Sequence, residues 1–126
     1  MILADTDVLI DYLAGMLPIA ERVKSYIESD SLQTTAVSCF ELLSGAGEDR
    51  RGDNVRRLIA AIPVLALDRD CAAQAASVRR QLSGSGLVIG MGDSLIAGIA
   101  LANGLPLLTR NRKHFENIEN LDVISE

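Results

Sequence analysis

The chain has 126 residues, with 12 Lys and Arg, 17 Asp and Glu and one His, for a net charge of −5. That length predicts a single domain spanning residues 1–126, large enough to bury one core without staples. Hydrophobic residues make up 48% and charged residues 23%, which excludes a disordered chain, and no run of about 18 apolar residues offers a membrane-spanning helix.

The opening MILADTD places Asp5 where a signal peptide needs a basic start and an apolar stretch, so a cytoplasmic location is expected. Cys39 and Cys71 lie in apolar stretches and form no CxxC; they predict buried thiols in a reducing compartment, with neither a disulfide framework nor a zinc site.

Met1–Ala4 is a short apolar run ending at Asp5, as in a buried strand. Asp7 through Leu13 then reads as helix. Pro18 opens a second helix, with Ile19, Val23, Tyr26 and Ile27 on one face. The Thr- and Val-rich stretch Ser31–Val37 predicts a strand. Ser38 is placed to cap the next helix, with Glu41 at the spacing of a capping box. Arg51–Ile62 is amphipathic and Pro63 stops it; Val64–Leu67 reads as strand. Asp68 caps an Ala-rich helix reaching Leu82, and Gly84–Gly92 is a glycine-punctuated connector. Asp93–Asn103 is apolar on nearly every side, predicting a helix buried on more than one face, ended by a left-handed Gly104. Leu105–Leu108 is a strand, a short helical turn follows, and Leu121–Ile124 is the last strand. Short strands alternating with helices predict an α/β fold, a parallel sheet covered on both faces.

In such sheets ligands bind beyond the carboxyl ends of the strands. Asp5 follows the first strand, Glu41 lies one turn into the helix after the second, Asp93 opens the buried helix, and Thr109 and Asn111 follow the fourth strand. Three carboxylates meeting at one sheet edge repel one another unless a cation compensates, and hard oxygen ligands suit Mg²⁺ or Mn²⁺ rather than zinc. Each also has a structural reading: Asp5 or Asp7 as an N-cap, Glu41 as the capping-box partner, Asp93 as a helix-start acid. The loop GSGLVIGMG lacks GK[ST] and follows no strand, so it is neither a P-loop nor a dinucleotide fingerprint. Ser38 and Ser94 have no histidine partner for a triad, and His114 is expected on the surface near Phe115.

Charge is unevenly spread: residues 1–48 sum to −6, residues 49–113 to +5 and residues 114–126 to −4. A polyanion responds to the local field, so a negative total does not exclude nucleic acid. Arg110, Arg112 and Lys113 flank Asn111 at the expected site edge and are candidates to hold phosphates. Aromatics are 3% of residues, so base stacking on protein rings is not the expected mode.

DTDVLID at 5–11, SCFELLSG around Glu41 and DSLIAGIALANGLPLLTRNRKHF from Asp93 to Phe115 together resemble a PIN domain, and more narrowly the VapC-type ribonuclease toxins of toxin–antitoxin pairs. The resemblance spans essentially the whole chain. It implies a three-layer α/β/α fold with a central parallel sheet of four to five short strands. It also implies a Mg²⁺- or Mn²⁺-dependent endoribonuclease, an RNA substrate, a cognate antitoxin and a homodimer. The family's acidic positions fall on Asp5, Glu41 and Asp93, with Thr109 holding the cluster and Asn111 at a fourth position. The chain departs from the family pattern at Asp7, usually Asn or Ser, and at His114, often acidic.

The expected chemistry is metal-assisted phosphodiester hydrolysis, with Asp5 and Asp93 on the metal and Glu41 on a metal or on the attacking water. Two alternatives remain open at the level of sequence. One is an aspartate-based phosphotransferase using Asp5, which needs a partner lysine such as Lys113. The other is a PIN-like interaction module without activity.

Overall fold

The computed structural model describes residues 1–126. Five strands, β1 (Ile2–Ala4), β2 (Leu32–Thr35), β3 (Val64–Leu65), β4 (Leu107–Thr109) and β5 (Val123–Ser125), form one sheet in the order β3-β2-β1-β4-β5. Every pairing is parallel, with Leu3 opposite Gln33 on one side and Leu107 on the other. Seven helices connect them: α1 (Thr6–Leu13), α2 (Ile19–Glu28), α3 (Ala36–Ser44), α4 (Arg50–Ala61), α5 (Arg69–Gly84), α6 (Met91–Asn103) and α7 (Arg112–Phe115).

Side chains alternate across the sheet and divide the core in two. Leu3 and Leu107 pack against α5 and α6 through Val78, Leu82, Ile96 and Ile99. Ala4 and Leu108 face the opposite way, onto Val8, Leu9, Ile19, Val23 and Leu58. Strands this short cannot cover themselves, and the two helical layers make the three-layer α/β/α arrangement that the alternating pattern predicts. α6 packs tightly on α5 at Gly98, where an added Cβ would stand 2.5 Å from the Cys71 carbonyl oxygen and 2.7 Å from the Ala75 Cβ.

Several boundaries differ from the sequence expectation, two of them because a local hydrogen bond intervenes. β2 stops at Thr35 because the Thr35 hydroxyl accepts from the Ser38 N–H at 3.0 Å and caps α3. Ser38 is therefore not the cap, and Glu41 does not reach back as a capping-box partner. β4 starts at Leu107 rather than Leu105, since the Leu105 N–H donates to the Ala100 carbonyl and closes α6 around left-handed Gly104 (φ 63°). α6 itself starts at Met91, which puts Asp93 in its first turn. Asp68 caps α5 as expected, accepting from the Cys71 N–H at 3.0 Å. Cys71 is buried, Cys39 is partly exposed, and both are free thiols.

From β1 the chain builds β2 and β3 on one side, then returns to place β4 and β5 on the other. The crevice at that reversal lies beyond the carboxyl ends of β1 and β4. No helix is long and apolar enough to cross a membrane.

Candidate active site

Asp5 stands at the end of β1 and caps α1. Its Oδ1 accepts from the Thr6 N–H and its Oδ2 from the Thr109 hydroxyl, both at 2.8 Å. The residue is 5% exposed and forms no ion pair with a basic group. Burial, then the neighbouring Asp7 charge, pushes its carboxyl up to about 7, with Asp93 adding to the rise and the Thr109 and Thr6 hydrogen bonds opposing it.

Glu41 comes from the middle of α3. Its Oε1 accepts from the Thr6 hydroxyl at 2.9 Å, and that hydroxyl also meets the Ser38 hydroxyl at 2.8 Å. Its other oxygen lies against the first turn of α6, 4.0 Å from where a Cβ on Gly92 would sit. The next residue is Asp93, whose Oδ2 contacts His114 Nδ1 at 3.1 Å. A carboxylate can only accept, so Nδ1 carries the proton of this bond. Three acids far apart along the chain are thus gathered around the ends of β1 and β4.

The donor set fits a hard divalent cation. Its groups are carboxylate oxygens, Asp5 lacks a compensating positive group, and each Asp5 oxygen keeps a lone pair beyond the bond it accepts. As they stand, no three His, Cys, Asp or Glu side chains form a closed ligand set. Asp5, Asp93 and Glu41 are the residues that could hold such an ion.

Other expected site residues have more specific positions than the sequence suggests. Thr109 is fully buried, donates to Asp5 and accepts from the Asn111 N–H at 3.0 Å. The Asn111 side-chain amide donates to Asp7, at 2.5 Å, so it supports that carboxylate rather than aiming at Asp5. Asp7 also accepts from the Arg110 N–H. The Arg110 guanidinium pairs with the buried Asp11 at 2.8 Å. Arg112 reaches the Val123 carbonyl and the Ser125 hydroxyl on β5. Two of the three expected phosphate-holding groups are therefore engaged in packing the C-terminal strands and α1. Lys113 has no acidic partner and borders a cleft beside Asp93.

Sequence reasoning missed Thr6 and Ser38 as supports of Glu41, and His114 as the neighbour of Asp93. Ser38 precedes Glu41 by three residues, a spacing that puts both on one helix face. Thr6 has no comparable local signal. His114 does lie on the surface, its ring centroid 6.4 Å from that of Phe115; buried Phe115 fixes the turn that presents it to Asp93.

Comparison with known proteins agrees with this architecture. The PIN domain family model matches residues 2–121. Ribonuclease VapC10 of Mycobacterium tuberculosis is 36% identical over 121 residues, covering 96% of this chain and 90% of that protein. The tRNA(fMet)-specific endonuclease VapC of Shigella flexneri is 26% identical over 108 residues, 82% of each chain. The crystal structure of DNA-bound VapBC from Salmonella typhimurium superposes with a TM-score of 0.83 at 25% identity, over 99% of this chain and 98% of that one. A match of the family model from β1 to the approach to β5, together with this fold, makes the chain a member of the PIN-domain family.

Proposed function

We propose that this chain is a Mg²⁺- or Mn²⁺-dependent endoribonuclease, the toxin of a toxin–antitoxin pair. The observation that carries the reading is the buried Asp5 carboxylate, uncompensated and joined by Glu41 and Asp93 at the sheet's reversal point. Relatives named as ribonucleases and as a tRNA-specific endonuclease support RNA as the substrate class. The fold likeness to VapBC supports a cognate antitoxin as partner.

Asp5 and Asp93 would hold the ion, and Glu41 would hold it or accept the proton of the attacking water. A bound divalent ion supplies an acidified water and positive field for charge developing on the phosphoryl oxygens. Thr109 and the Thr6 N–H fix the Asp5 carboxylate in place. The Thr6 hydroxyl, steadied by Ser38, holds Glu41 toward α6. His114 steadies Asp93. Lys113 provides the free cation for the RNA backbone. The phosphotransferase alternative lacks support, because the hydrogen-bond partners of Asp5 are Thr6 and Thr109 and include no lysine.

The test is cleavage of single-stranded and transfer RNA by the purified chain with Mn²⁺ or Mg²⁺. Cutting is expected to stop with EDTA and in Asp5→Asn and Asp93→Asn proteins that retain the wild-type circular dichroism spectrum. Cleavage that persists in EDTA, or in both variants, would falsify the reading.

A further inference from the structure

We infer that the cleft between the α5–α6 loop and α7 receives the base of the nucleotide beside the scissile phosphate, and so helps to choose the RNA sequence that is cut. The inference rests on the ribonuclease reading and adds a specificity site to it. The cleft has a volume of about 180 Å³, and its walls include Leu87, Val88, Asp93, Lys113, His114 and Asn117. Asp93 belongs both to this wall and to the carboxylate cluster, so a strand held with a phosphate at the cluster has its neighbouring nucleoside at the cleft mouth.

Size and chemistry favour a base. A cleft of this size has room for one planar heterocycle rather than for a folded peptide segment. Val88 is 98% exposed on a loop bent by Gly86 (φ 76°), where packing does not require an apolar side chain. With Leu87 it offers an aliphatic wall, and the His114 ring lies across from the loop on α7. Single-stranded RNA is read by splaying a base onto such surfaces and bonding its edge. An edge partner is present: the Asn117 side-chain amide, which makes no bond within the protein, offers both a donor and an acceptor. Lys113, at the rim, is left to the backbone phosphate, so the aliphatic wall and the Asn117 amide are what the cleft offers to a base.

The experiment maps cut sites made by the whole protein with Mn²⁺ in a single-stranded RNA pool of random sequence, by sequencing the product ends. The wild type is expected to favour one base at a position adjacent to the cut. Val88→Gly and Asn117→Ala, both at exposed positions, are expected to reduce that preference about tenfold at that position alone. A wild type with no adjacent preference, or variants that keep it unaltered, overturns the inference while leaving the ribonuclease reading intact. A wild type that cuts no RNA removes both, a result distinguishable from the others because no ends appear.

Discussion

At the residue scale, Asp5 is held where the fold disfavours its charge. Its carboxyl sits at about 7 in the folded chain against a reference of 3.8, because burial and Asp7 oppose ionisation. Between those two values the folded state binds a proton that the unfolded state has released, so this group's contribution to stability is full below about pH 4 and is lost as pH rises through about 7. Asp5→Asn is therefore expected to raise the melting temperature at pH 8 without metal, by several degrees, while abolishing cleavage and any stabilisation by Mn²⁺. Differential scanning fluorimetry across pH with and without Mn²⁺ checks this; a lower melting temperature for the variant at pH 8 contradicts the account. Thr109 is also sensitive, since its hydroxyl both donates to Asp5 and accepts from the Asn111 N–H. Thr109→Val strands both partners and is expected to cost about 1–3 kcal/mol in urea unfolding, with Thr109→Ser restoring most of it. Of the basic residues, Lys113→Ala is expected to lower the salt dependence of RNA binding by about 0.7 in slope, the value for one single-strand phosphate contact, whereas Arg112→Ala leaves the slope in place. Binding isotherms of the Asp5→Asn protein at several salt concentrations measure it.

At the element scale, the site depends on how helices start and how closely they approach. α3 begins where the Thr35 side chain takes the Ser38 N–H, and this sets the turn from which Glu41 projects. α6 runs against α5 with no room for a methyl group at Gly98. Gly98→Ala forces a shift against the Cys71 carbonyl and Ala75, and is expected to destabilise the chain by about 1–3 kcal/mol despite alanine's better helix propensity. Chemical denaturation gives the value, and a stabilised variant would refute the packing argument. The helices themselves were legible from apolar spacing and from caps such as Asp68 and Gly104, because those signals lie within one turn of chain. The cap of α3 was not, because Thr35 and Ser38 are both acceptable caps and only the end of β2 decides between them.

At the scale of the whole molecule, the charge imbalance along the sequence does not translate into a simple basic surface. Arg110 and Arg112, adjacent to the site in sequence, are spent on Asp11 and on β5. What the surface does present is apolar: Phe40 is 70% and Met91 69% exposed, and with Val37, Leu67 and Leu95 they border a hollow of about 460 Å³ beside Glu41. The homodimer that the family resemblance implies is expected to bury this hollow. Light scattering is expected to give a dimer mass for the wild type and a monomer mass for Phe40→Glu; a dimer that survives the substitution places the contact elsewhere.

The amino-acid order alone determined the α/β class and most of the helices, and it singled out the three acids now proposed to hold the ion, since hydrophobic period and strand-exit position are local properties. It also carried the family resemblance, through motifs at both ends and the middle of the chain. Only the tertiary structure decided that Asn111 serves Asp7, that Thr6 and Ser38 hold Glu41, that His114 meets Asp93, and that Lys113 alone of its cluster remains free. These are contacts between groups up to about a hundred positions apart, fixed by which strands neighbour one another, and no local pattern encodes which of several polar side chains will arrive at the same point in space.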